Sequence, residues 1–172
     1  LVKSPEEAER IQVSDPDKVA YVTQTTLSLD ETEETVSVLR RRFPSLRGPA
    51  RDDICYATQN RQNTVKALLK QIDILLVIGS KNSSNSNRLV EVARSHGVPG
   101  YLFDEPSEME PKWFDGVKTV GLTAGASAPE DLVQATVDYL LQQYGGTAEL
   151  FMFTEEKVDF PLPRELVKAR QE

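Results

Sequence analysis

The chain has few of the residues that usually announce a chemistry: one cysteine and one histidine in 172 residues. Cys55 alone cannot close an intrachain disulfide. Nothing therefore points to a disulfide-held secreted scaffold, and a reducing, intracellular setting is expected. Nor is a second cysteine present to complete a metal site within the chain. Long apolar runs are missing too, since a run such as ILLVI at 74–78 is far too short to cross a bilayer as a helix, so no membrane partner is expected. There is no excess of positive charge. The formal net charge is −7, which argues against nonspecific nucleic-acid binding but leaves room for a local anion site built from backbone N–H groups and hydroxyls. The opening LVKSPEEAERIQVSD lacks the basic and apolar regions of a signal peptide, and a start at Leu1 rather than Met suggests a processed or truncated product.

What is present is the composition of an ordinary globular protein, 39% apolar and 27% charged, long enough for one domain or two small ones with a core that needs no staple. Along the chain, KVAYVTQTT (18–26) reads as a strand ending in hydroxyls. LDETEETVSVLRRRF (29–43) then reads as a helix, with Asp30 and Glu33 at capping-box spacing and Val36, Leu39 and Phe43 on one face. PSLRGPARDDICYAT (44–58) carries two prolines and a glycine, which predicts a linker near residue 50 leading into a short strand around Ile54 to Tyr56.

From there the alternation is regular. A helix carrying Val65, Leu68, Leu69 and Ile72 precedes the strand DILLVIG, and a helix with Leu89, Val90 and Ala93 inward precedes PGYLF. After the loop EPSEMEPKWF come the strand KTVGLTAG and a helix striped by Val133, Val137, Leu140 and Leu141 that stops at Gly145. Strands alternating with helices predict an α/β fold with a parallel, doubly wound sheet. The tail carries a strand-like AELFMF and a proline-broken end, more a docking strap than a domain.

Open α/β sheets gather ligands where strands run into helix N-termini. Three hydroxyl-rich stretches follow strands here: TQTT (23–26), GSKNSSNSN (79–87) and TAGASAP (123–129). A helix N-terminus offers free N–H groups and the positive dipole end, so added Ser and Asn donors suit a phosphate. The same residues also serve as plain caps and turns, and on composition TQTT and TAGASAP read more simply that way. Pro129 suits a first helical position, and Glu130 and Asp131 behind it would repel an anion on the helix axis, so Ser127 would reach one only from the loop. The middle stretch holds far more Ser and Asn than a cap requires. Cys55, between a strand and a helix start, is open to two readings: a thiolate nucleophile or metal ligand, and a small buried apolar residue. His96 falls at a predicted helix C-terminus beside Gly97, a dipole position rather than a catalytic one. The acidic DETEE (30–34) is a solvated helix start.

Taken together, YVTQTTLSLDET, RRFP, DDICYATQNRQ, LVIGSKNSSNSNRLVEVA and VGLTAGASAPEDLV resemble the C-terminal part of the LytB family of 4-hydroxy-3-methylbut-2-enyl diphosphate reductases, densely from Val19 to Leu141 and more loosely in the tail. The resemblance implies a trefoil of three α/β domains around a [4Fe-4S] cluster held by three cysteines, one per domain. The cluster would serve the reductive removal of the hydroxyl from an allylic diphosphate to give isopentenyl and dimethylallyl diphosphates. On this resemblance residues 1–50 are the end of the middle domain, 51–143 the complete third domain and 144–172 a C-terminal strap. Cys55 becomes a cluster ligand. Ser83, Ser84, Asn85 and Ser127 become diphosphate ligands, Thr25 sits beside the substrate hydroxyl, and Gln24 and Thr58 line the same cavity. The family's other cysteines, its diphosphate-binding histidines and its proton-donating glutamate are expected upstream of Leu1, which leaves no catalytic residue in this chain and a fragment inactive alone. The implied partner is an electron donor such as ferredoxin or flavodoxin, in a bacterial cytoplasm or a plastid. The alternatives are a noncatalytic phosphate-binding α/β module in which Cys55 is only core, and an interaction domain, for which the sequence offers no exposed apolar stripe or charged patch.

Overall fold

The computed structural model describes residues 1–49 and 54–153. Its elements are α1 (Pro5–Arg10), α2 (Leu29–Arg42), α3 (Tyr56–Leu68), β1 (Ile74–Ile78), α4 (Ser84–Ser95), β2 (Gly100–Phe103), β3 (Val120–Ala124) and α5 (Glu130–Tyr144), with two 3-10 turns, Pro106–Glu108 and Pro111–Phe114, between β2 and β3. The ILLVI run becomes β1, buried at every position, as a central parallel strand covered on both faces requires. It lies between β2 and β3, parallel to each, with Ile78 opposite both Phe103 and Ala124. The period-2 alternation of β1 divides its side chains between two cores. Leu75 and Val77 pack with Val65 and Leu69 on the α3 side and with Leu89, Val90 and Ala93 of α4. Ile74, Leu76 and Ile78 pack with Phe103, Met109 and the inner face of α5. A third cluster, Ala8, Val38, Leu39 and Phe43, joins α1 to α2. There Arg42 lies over the Phe43 ring and donates to the carbonyls of Ala8 and Ile11.

The α/β class, the parallel sheet, its three strands and the helices α3, α4 and α5 that accompany them follow the sequence reading. Several local expectations do not. Residues 18–26 form no strand: Ala20 makes an isolated parallel bridge with Arg47, and the next residues turn. β-type side chains make a strand only where a neighbour supplies a ladder. The short strand around Ile54 to Tyr56 is instead the start of α3, capped by Cys55. α2 is capped by buried Ser28 rather than by Asp30. Asp30, the second residue of the helix, pairs with Lys66 of α3. Pro129 is the cap of α5, one residue earlier than its expected helical position. The inward stripe of α5 is Leu132, Val133, Tyr139 and Leu140. Fully buried Thr136 is tolerated on that side because its hydroxyl donates to the Leu132 carbonyl at 2.8 Å. The helix ends at Gly145, whose φ of 72° suits glycine. AELFMF forms no strand, and Leu150, Met152 and Phe153 are exposed. The expected boundary at residue 50 and the end DFPLPRELVKARQE lie outside the described residues.

Candidate functional site

At the carboxyl end of the sheet the chain leaves β1 through Gly79 into a loop that fastens itself. The Ser80 carbonyl accepts the Ser83 N–H at 2.8 Å, and the Ser80 hydroxyl accepts the Asn82 N–H at 3.2 Å. The Asn87 amide reaches back to the carbonyls of Lys81 and Ser83 at 2.8 and 2.9 Å. Lys81 Nζ meets Glu108 Oε2 at 2.9 Å, and that pair holds the Glu108 carboxyl below its usual range and raises the Lys81 ammonium. Ser80, Lys81, Asn82 and Asn87 therefore shape the loop. Ser83 caps α4, half-buried, and Ser84 is exposed. Asn85 is only 8% exposed, yet neither its Nδ2 nor its Oδ1 has a hydrogen-bond partner. A buried amide left unpaired costs about 1–3 kcal/mol, so this side chain is a group in want of a partner.

The next strand over delivers the second hydroxyl loop to the same edge. The Gly125 N–H donates to the Ile78 carbonyl at 2.8 Å, which ties the turn after β3 to the end of β1. Ser127 follows in that turn, exposed. Ser83 and Asn85, at the start of α4, and Ser127, in the turn after β3, thus follow adjacent strands. Between the loops sits Ser86, fully buried, with its Oγ 3.0 Å from Ser83 Oγ. Sequence reasoning assigned no role to Ser86. The available signal was the pair of glycines, Gly79 and Gly125, each just past the end of a buried strand.

A second corner forms around Cys55, whose N–H donates to the Thr25 carbonyl at 2.9 Å, so that these two residues of distant segments lie together. The Gln62 amide holds the same segment through the Leu27 carbonyl at 3.2 Å. Cys55 is exposed, which sets aside the buried-core reading of its thiol. Its thiol pKa is lowered, first by the Thr58 N–H, then by the Ala57 N–H, with smaller help from the Thr58 hydroxyl and the Arg61 guanidinium. This is the environment of a thiolate at a helix N-terminus. Thr58 is buried and serves Cys55. A cleft of about 350 Å³ separates the segment Gln24, Thr26, Leu27 from Asn82, Ser84 and Arg88 at the start of α4. Gln24 and Ser84 thus face one space, whereas Thr25, Cys55, Ser83, Asn85 and Ser127 are not among the residues that line it. His96 sits at the C-cap of α4 with Nδ1 2.8 Å from the Val92 carbonyl, far from a catalytic setting.

The donor chemistry fits one thiolate ligand to an iron, and only one. The chain has no other cysteine, and among the described residues no group of three or more His, Cys, Asp or Glu side chains could hold a metal ion. Also among them, no helix is long and apolar enough to cross a membrane.

Known proteins resemble this chain closely. Residues 1–141 match the family described as LytB protein. The chain is 51% identical over 166 residues to the 4-hydroxy-3-methylbut-2-enyl diphosphate reductase of Photobacterium profundum, covering 96% of this chain and 53% of that protein. It is 52% identical over 170 residues to the enzyme of the same name from an Azoarcus species, covering 99% and 54%. The solved structure of the E-1-hydroxy-2-methyl-but-2-enyl-4-diphosphate reductase from Plasmodium falciparum matches with a TM-score of 0.85 at 29% identity, over 99% of this chain and 55% of that one. The chain spans about half the length of the curated relatives it matches. A family match across most of the chain, on a fold shared with a solved reductase, means that the chain belongs to the LytB protein family.

Proposed function

We propose that this chain forms the C-terminal part of a 4-hydroxy-3-methylbut-2-enyl diphosphate reductase and supplies one wall of its active site. The observation that carries the reading is the orphaned, buried amide of Asn85 at the N-terminus of α4. An amide buried without partners beside a capping hydroxyl and a helix dipole is suited to an anion that needs donors. Ser83, Ser84 and Asn85 bind the diphosphate from the α4 side, and Ser127 approaches from the neighbouring loop. Thr25, joined to Cys55 through the backbone, lies at the other end of the substrate, beside the hydroxyl to be removed.

Cys55 would hold one iron of a [4Fe-4S] cluster as a thiolate, the form that the N–H groups of Thr58 and Ala57 favour. When bound, the cluster supplies electrons for reductive loss of the allylic hydroxyl. The other cysteine ligands, the proton donor and the cationic partners of the diphosphate come from polypeptide outside residues 1–172, so this segment alone does not turn over. Residues 1–50 then complete a middle domain, 51–143 form the third domain and 144–172 act as a strap. The separate α1–α2 cluster and the exposed Leu150, Met152 and Phe153 support that division. The working partner is a small electron-transfer protein such as ferredoxin or flavodoxin, and the setting is cytoplasmic.

The test uses the gene product at its native length, reconstituted anaerobically with iron and sulfide and titrated with the allylic diphosphate against a sugar phosphate. The expected result is a bound cluster that Cys55→Ser disrupts, with selectivity for the diphosphate. Absence of iron with equal affinity for both ligands would replace the reductase by a noncatalytic phosphate-binding module.

A further inference from the structure

Ser86 occupies a place that two glycines leave open. A Cβ on Gly79 would lie 2.3 Å from Ser86 Oγ, and a Cβ on Gly125 would lie 2.2 Å from it. Both distances are far inside van der Waals contact, so the hydroxyl is lodged between the turn after β1 and the turn after β3. From there it makes one directed contact, donating to Ser83 Oγ at 3.0 Å, while the Ser86 backbone N–H donates to the same oxygen at 3.3 Å. A serine hydroxyl has two acceptor positions and one proton. With both acceptor positions of Ser83 filled by Ser86, its proton is the group left to offer, and a proton is what a phosphate oxygen accepts.

We propose that Ser86 is the positioning residue of the anion site, because its buried hydroxyl makes Ser83 a donor and spaces the Ser127 turn against the turn after β1 and the start of α4. This rests on the diphosphate reading above and adds to it a residue that does not touch the ligand. A plain packing role for Ser86 makes a different prediction, and the glycines allow the two to be separated. Once Oγ is removed, a Cβ on Gly125 would have the Ser86 Cβ 3.5 Å away, an ordinary contact. The pair Ser86→Ala with Gly125→Ala therefore refills the space without restoring the hydroxyl.

The experiment measures inorganic pyrophosphate binding by calorimetry, and Tm, for the native-length gene product, Ser86→Ala and the double variant. Loss of a charge-assisted hydrogen bond weakens binding by about tenfold or more. The expected result is a lower Tm and about tenfold weaker binding for Ser86→Ala, with Tm recovered and binding still weak in the double variant. Affinity that returns together with Tm, or that never falls in Ser86→Ala, would reduce Ser86 to packing and overturn the proposal. Failure of the unsubstituted protein to bind pyrophosphate would instead overturn the diphosphate reading, and the role of Ser86 with it. Should Ser86→Ala not fold, the double variant, with its refilled core, carries the comparison.

Discussion

Replacing Asn85 by leucine should make the ligand-free protein more stable and blind to diphosphate. The side chain is 8% exposed, and both of its polar atoms lack partners. Leucine is close in size and removes the desolvation penalty of an unpaired amide, about 1–3 kcal/mol, and it is a better residue inside a helix by a few tenths of a kcal/mol. Taking about 2 kcal/mol as the net gain, a chain of this length should melt roughly 4–8 °C higher, at about 2–4 °C per kcal/mol. Pyrophosphate at about a hundred times its dissociation constant should stabilise the parent by about 2.7 kcal/mol and the variant by far less. The assay is thermal unfolding in phosphate-free buffer with and without pyrophosphate. If Asn85→Leu lowers the melting temperature, or pyrophosphate protects it as well as the parent, then the amide is not waiting for an anion and the reasoning fails.

Thr58→Val should raise the Cys55 thiol pKa part of the way to its ordinary value, because it removes the hydroxyl contribution and keeps the stronger backbone N–H contributions; the pH profile of iodoacetamide alkylation measures this, and an unmoved profile would remove Thr58 from that role. Asp73 accepts the N–H groups of Lys118 and Thr119 at 2.8 Å each, which depresses its carboxyl pKa. A depressed folded pKa gives stability that is present above the unfolded pKa and lost as pH falls through the folded one. Asp73→Asn should therefore flatten the acid limb of the urea midpoint below about pH 4, and an unchanged limb would count against the linkage. Leu89, fully buried between α4 and β1, should lose about 2–5 kcal/mol on Leu89→Ala in urea unfolding; a loss under about 1 kcal/mol would mean the core collapses around the gap.

The sheet was legible wherever one segment carried its own instructions. ILLVI could be little other than a covered strand, and Val65, Leu69, Leu89, Val90 and Ala93 face inward as their spacing implies. Readings failed where a partner decides the outcome. Val19 and Tyr21 have β-type side chains, but the segment's bridge is a single pair at Ala20 and Arg47. Asp30 had the spacing of a cap, yet Ser28 begins the helix and the carboxylate goes to Lys66, a residue far along the chain. For the site, the surplus of Ser and Asn after β1 was visible as composition. Composition could not say that Ser80 and Asn87 would be consumed within the loop, that Asn85 would be left unpaired, or that Ser86 would be buried against two glycines. Those divisions of labour depend on β3 arriving beside β1.

That arrival also sets an order in time. β1 finds its first neighbour in β2, directly across α4, whereas β3 must close over a longer stretch of chain before it pairs with the same strand, and long closures come late in folding. Until they do, Gly125 is not there to seat Ser86. The hydroxyl-lined edge should therefore mature last in the sheet, because Gly125 reaches Ser86 only once β3 has paired with β1. Pulse-labelled hydrogen exchange should find the Gly125 amide protected after that of Leu75, whose partner is the Pro99 carbonyl; simultaneous protection would show that sheet and site form in one step.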